Sequence, residues 1–211
     1  MGSVTNSILS GTSGRTGRVV IANVHGVEVS RARPVMRSSS TEPQTAHREL
    51  FRFAVAFLGL YKSFARLFFG KRKGLVTPYN QAQANVLENI QLTGDEVIIN
   101  YNQVLISKGN LLEMIPESIS TGAAQAITVT WINNAPPDSS NENDLCSVFV
   151  YMPSRRDGQF FSGVAARQAG SATVNMLPFY AGEEVHVWAT FTDEGATAAC
   201  NSRYMGFTTL T

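Results

Sequence analysis

The spacing of apolar and polar positions divides this chain into three stretches. In residues 1–40, Gly11, Gly14 and Gly17 recur every third position, followed by the β-branched run Val19, Val20 and Ile21 and then by Val24, Val27 and Val29. This pattern predicts a glycine-punctuated arm with one or two strands near 18–22 and 27–31, its glycines permitting tight turns or close backbone approach. Residues 41–94 read as helical. Thr41, Glu42, Pro43 and Gln44 make a helix start, and most positions from 50 to 69 are apolar. Arg48, Arg52, Gly59, Lys62 and Arg66 recur at spacings of three, four and seven. That spacing predicts one helix over 46–69, buried on most of its circumference, with a single basic edge. A second helix is expected from Thr77 and Pro78 to about Asn89, with Gly94 beyond its end. Between the two, Gly70, Lys71, Arg72, Lys73 and Gly74 form a basic linker.

From 95 to 211 the period changes to that of short strands. Segments 97–100, 104–107, 127–132, 148–152, 173–177, 185–191 and 204–209 are rich in β-branched and aromatic residues and are separated by polar or glycine-containing turns. Alternation is clearest around Trp131 and from Glu184 to Phe191. Seven such strands predict an antiparallel immunoglobulin-like β-sandwich. The fold class expected is therefore α+β, mainly β: a basic arm (1–40), a two-helix segment (41–94) and a sandwich (95–211). Trp131 precedes both cysteines, so any likeness to antibody domains is one of architecture alone.

Charge sharpens this division. Residues 1–75 hold 12 of the 17 Lys+Arg and 3 of the 16 Asp+Glu, a formal +9, which leaves −8 for the remainder and hides behind a net charge of +1. Such asymmetry points to self-assembly or to an anionic partner. The basic positions Arg15, Arg18, Arg31, Arg33, Arg37, Arg48, Arg52, Lys62, Arg66, Lys71, Arg72 and Lys73 are the interface or anion-binding candidates. On one surface they would neutralise phosphates, with Phe51, Tyr61 or Phe68 stacking on bases. Against this stands a bland reading, in which the aromatics are core and the arginines are spread over an arm and a helix edge.

Catalytic signatures are few. Gly11, Gly14 and Gly17 lack the Gly-Lys-Ser/Thr ending of a phosphate cradle and read as arm turns. His25 reads as a turn residue, His47 as a helix-start residue and His186 as an outward strand residue, without metal-ligand spacing. Cys146 and Cys200 read as two reduced, partly buried thiols, able to bridge only if their strands are neighbours. Glu183 with Glu184, and Asp193 with Glu194, are adjacent pairs whose members point apart. The acidic loop 133–144 offers oxygen ligands but lacks the spacing of a calcium loop and reads as a polar loop. No cofactor, metal site or small-molecule substrate is expected. No stretch suits a membrane span, since 53–61, the longest uncharged part of the first helix, is far short of the ~20 residues required. The N-terminus has neither the basic start nor the apolar run of a secretory signal, so cytoplasmic synthesis is expected, with a virion as an alternative destination.

The opening segment Ile-Leu-Ser-Gly-Thr-Ser-Gly-Arg-Thr-Gly-Arg-Val-Val (8–20), then Gly26, Arg31, Arg33-Pro34 and a helix bearing Arg48 and Phe51, resembles an uncharacterised domain-of-unknown-function family of Bacteroidota proteins. The resemblance continues through 104–109 and 181–185 and so covers nearly the whole chain. The N-terminal pattern is also similar to small phage and prophage structural proteins. The resemblance implies a fold and a setting and supplies no catalytic residue. The expectation is a non-enzymatic structural protein that self-associates, as homo-oligomer or with other structural subunits, in a phage-derived particle or a filament. A nucleic-acid-binding module using the basic first third is the alternative, and an enzyme with a site assembled from scattered residues ranks third.

Overall fold

The computed structural model describes residues 2–4, 6–35, 41–94 and 96–211. Arg37 lies outside these residues. The arm is a four-stranded antiparallel sheet of β1 (Gly2–Ser3), β2 (Gly14–Thr16), β3 (Val19–Val24) and β4 (Val27–Ala32), in the order β1-β4-β3-β2. The two expected strands are its centre. They meet in a two-residue turn at His25 and Gly26, both at positive φ (52° and 87°), the conformation a tight hairpin requires. Gly11, Gly14 and Gly17 also have positive φ, and nothing lies within 4 Å of where a Cβ would stand. Gly11 and Gly17 lie in turns, whereas Gly14, expected as a turn residue, opens β2 opposite Ile21, and none of the three serves a close backbone approach. Val4, Ile21 and Val29 are buried, yet no arm side chain belongs to the hydrophobic cores of the remaining chain.

The expected single helix over 46–69 is two helices, α1 (Glu42–Gly59) and α2 (Lys62–Phe68). At α1's start the Thr41 N–H donates to the Gln44 side chain at 3.3 Å. The break follows exposed Gly59, a poor helix former, at Tyr61, whose backbone (φ −130°, ψ 30°) leaves the helical region. Its ring lodges 5.8 Å from Phe57 and 4.8 Å from Phe149. The new direction brings Phe64 to 4.4 Å from Phe160. Burial over most of the circumference is also corrected: α1 buries one stripe, Ala54, Phe57 and Leu58, and leaves Phe51 46% exposed. Helix α3 (Pro78–Glu88) starts where expected, with the Thr77 hydroxyl accepting from the Asn80 N–H at 3.2 Å.

A hairpin of β5 (Ile90–Thr93) and β6 (Glu96–Ile99) follows, so the expected strand 97–100 belongs to a separate two-stranded sheet. Segment 104–107 forms no strand. Its backbone donors are taken by side chains instead: Leu105 N–H by Asn85 and Ile106 N–H by Ser202, each at 2.8 Å. Two strands the alternation did not reveal, β7 (Ile115–Gly122) and β10 (Asp157–Ala166), join β8 (Ala126–Ile132), β9 (Leu145–Met152), β11 (Ser171–Asn175), β12 (Glu184–Thr192) and β13 (Arg203–Thr209). They make a three-stranded sheet, β11-β8-β7, and a four-stranded sheet, β10-β9-β12-β13, both antiparallel.

Three layers result. Cys146, Val148 and Val150 of β9 and Val185, Val187 and Phe191 of β12 face a core shared with Ile127, Val129, Trp131 and Val174 of the other sheet. The alternate residues Phe149, Tyr151 and Trp188 face Phe57, Leu58 and Tyr61 of the helical layer. Burial on both faces explains why β9 is an almost unbroken apolar run.

Candidate interface and buried polar sites

The basic candidates fall on three separate elements. On the arm, β3 is flanked by β2 and β4 in a register that pairs Val20 with both Arg15 and Arg31, so the two arginines share one face of the sheet. Arg33 follows directly after the end of β4, and its N–H donates to the Arg18 carbonyl at 2.7 Å. All four side chains are exposed, and among the described residues none makes an ion pair. The arm's acid, Glu28, accepts instead from the Gly11 N–H at 2.7 Å and the Ser10 hydroxyl at 2.9 Å.

Arg48, Arg52, Lys62 and Arg66 lie exposed on the outer side of α1 and α2. Arg52 pairs with Glu49 at 2.9 Å, and the Arg66 guanidinium lies 6.0 Å from the Tyr79 ring centre. Lys71, Arg72 and Lys73 occupy the turn before α3. Tyr61 and Phe68 are buried, so of the three rings considered for base stacking only Phe51 is accessible.

Sequence reasoning missed a buried arginine. Arg167, 0% exposed, donates from Nη2 to Asp144 Oδ2 at 2.9 Å and to the Leu112 carbonyl at 2.7 Å, and from Nη1 to Asn134 Oδ1 at 2.8 Å. Its Cζ stands 3.9 Å from the centre of the Phe191 ring, and its carbonyl accepts from Trp131 Nε1 at 2.8 Å. Asp144 is thus no solvated loop carboxylate: it carries the counter-charge of the cluster that joins the two sheets. The lone signal for this was a single arginine between apolar runs.

His186 is a second correction. It is buried, because its face of β12 is the one covered by other groups. Its ring stacks on Tyr101 with centres 3.5 Å apart, Nδ1 lies 2.7 Å from the Tyr204 hydroxyl, and Nε2 lies 3.5 Å from Glu184. Burial pushes the His186 pKa below its ordinary value, against an opposing pull from Glu184. Burial likewise raises Tyr101 and Tyr204 to about 12 each. At neutral pH this is a neutral, hydrogen-bonded aromatic stack.

Cys146 and Cys200 are free thiols and fully buried, where partial burial was expected. Desolvation drives the Cys146 pKa far upward, the reverse of what an activated nucleophile requires. Among the described residues no three His, Cys, Asp or Glu side chains group to hold a metal ion, and no helix is long and apolar enough to cross a membrane.

By architecture this is a mixed α+β protein, with several antiparallel sheets and three α-helices among the described residues, and its basic residues without an ion pair include those of the accessory sheet, of the outer side of α1 and α2 (Arg48, Lys62, Arg66) and of the turn before α3. Residues 11–206 match the family described as "Family of unknown function (DUF6266)", and the chain belongs to that family. No curated protein matches it. Among solved structures it is similar to the fn3 domain of human collagen alpha-1(XX) chain, at 18% identity over 49% of this chain and 84% of that one, with a TM-score of 0.33. A likeness at that score carries no argument here. Neither a Bacteroidota source nor a phage setting is addressed by these comparisons.

Proposed function

We propose that this chain is a non-enzymatic assembly protein whose arm sheet completes itself against another copy, in a particle or filament. The observation that carries the reading is the arm. It has three buried apolar side chains, none in the cores of the rest of the chain, and a sheet this small is marginal without further packing. It also exposes Val19, Val24 and Val27 together with four arginines that have no acid partner. A neighbour that covered the valines and brought negative charge would satisfy both, and the −8 remainder of a second copy has that sign. A contact between two different surfaces of identical chains repeats into rings or filaments. In this reading the seven strands β7 to β13 are an immunoglobulin-like sandwich. Its support is the strand order: the first, second and fifth in one sheet, the third, fourth, sixth and seventh in the other.

The test compares the full chain with one starting at Thr41, which keeps all three hydrophobic cores, by light scattering and negative-stain imaging at low and high salt. Salt-sensitive rings, particles or filaments from the full chain alone are expected. A full chain that stays monomeric at high concentration and low salt refutes the proposal. A second reading rests on the shared face of Arg15 and Arg31, which suits a nucleic-acid backbone. It predicts salt-sensitive DNA or RNA binding that is lost with the arm.

A further inference from the structure

The turn between α2 and α3 is a built element. The Lys73 N–H donates to the Val76 carbonyl at 3.0 Å and the Val76 N–H returns to the Lys73 carbonyl at 2.9 Å, closing a tight loop. Gln81 Nε2 holds the Lys71 carbonyl at 2.7 Å. On the other side, the Lys108 N–H donates to the Phe68 carbonyl at 2.9 Å and its carbonyl accepts from Gly70 at 2.7 Å. The chain after Lys108 lies against the 198–200 segment so closely that a Cβ on Gly109 would stand 2.0 Å from the Ala199 carbonyl oxygen. Three lysines from two distant parts of the chain are thereby held around one pocket of about 340 Å³, bordered by Lys71, Lys73 and Lys108 with Gln81, Asn110 and Thr197.

No carboxylate lines this pocket. Asp193, close behind its wall, is engaged in its own loop, accepting from the Thr197 N–H and hydroxyl and from the Ala198 N–H. Glu88 borders a separate depression on the far side of Lys108. Among the described residues none of the three lysines makes an ion pair. Three like charges gathered around one concavity attract an anion to it, and amide and hydroxyl groups beside them suit the oxygens of such an anion. One rim is apolar, formed by Leu67, 69% exposed, and Ala198. The volume exceeds what a lone oxyanion fills and lies in the range of small organic ligands.

We propose that this pocket binds a phosphate-bearing ligand of nucleotide size, its phosphate among Lys71, Lys73 and Lys108 and its flat apolar part against Leu67. The site is independent of self-association through the arm. Its phosphate belongs either to a free nucleotide or to a single-stranded nucleic acid, and titration distinguishes the two. The full chain is titrated by calorimetry with adenosine monophosphate, adenosine and a short oligothymidylate, at low and moderate salt. The same titrations are made on a Lys71→Gln, Lys73→Gln, Lys108→Gln variant and on an Arg15→Gln, Arg31→Gln control. All five substituted side chains are exposed, so both variants are expected to fold, which circular dichroism checks. The expected result is salt-sensitive binding of a phosphate-bearing probe that the triple variant weakens by about tenfold or more, with the arm variant unchanged. Tight binding of the monophosphate alone assigns a free nucleotide, and tighter binding of the oligonucleotide assigns a nucleic acid. Absence of binding, equal binding of adenosine, or binding unaltered in the triple variant overturns the proposal.

Discussion

At the scale of single residues, the chain's least ordinary choice is a guanidinium in the middle of an apolar core. Arg167 is tolerated there because four acceptors, one of them a carboxylate, take the hydrogens of Nη1 and Nη2, while Phe191 covers its face and Nε alone is left buried without a hydrogen-bond partner. Removing one partner strands the other, so Asp144→Ala is expected to cost about 3–5 kcal/mol in chemical denaturation, whereas replacing both, Asp144→Leu with Arg167→Met, recovers most of it. A near-neutral Asp144→Ala would mean that the ion pair does not hold the sheets together. His186 makes a prediction in pH. In the folded chain it takes up a proton less readily than its ordinary value of 6.5 allows, so below that value the unfolded chain binds a proton the folded one refuses. Stability therefore falls as pH drops through the ordinary histidine range around 6.5, and His186→Gln removes that part of the slope, measured by urea denaturation at each pH. Glu113, Glu183 and Asp193, held below ordinary carboxylate values, contribute stability that is lost only at lower pH, as pH falls through their folded values.

At the scale of elements, what could be read from the chain depended on whether its period was interrupted. Strands β9 and β12 were legible from their apolar content and α3 from its Thr-Pro start, since each signal is local. Strands β7 and β10 were not, because each carries a bulge that shifts the alternation. In β7 Glu117 is the extra residue, between Pro116 and Ser118. In β10 the register slips between Phe161 and Ala165, around Gly163. The break between α1 and α2 was hidden for the opposite reason: Gly59 lay on the expected basic stripe, and the turn at Tyr61 is imposed by the aromatic layer that receives its ring. Gly59 is exposed, has no positive φ and has open space where a Cβ would be. Gly59→Ala is accordingly expected to stabilise the chain by about 0.5–1 kcal/mol, read from the denaturation midpoint. A loss of stability would show that the break depends on this glycine.

At the scale of the whole molecule, the charge split acquires a shape. Positive charge without an ion pair is gathered on the accessory sheet and on the turn before α3, with Arg48, Lys62 and Arg66 on the helices between them, while three acids of the remainder are committed locally: Asp144 to Arg167, Glu183 to Arg155, Glu113 to Arg203. The arm truncation and the lysine-pocket titration act on these two regions separately, so one can fail while the other stands. Composition and period alone determined the division into arm, helices and strands, the sign of charge in each, and the want of a local catalytic motif, because those properties belong to neighbours along the chain. Tertiary structure alone decided that 104–107 lies outside the ladders, that His186 and Arg167 are buried, and that Lys108 joins Lys71 and Lys73. Each of these depends on groups far apart in sequence, brought together by the packing of a sheet buried on both faces.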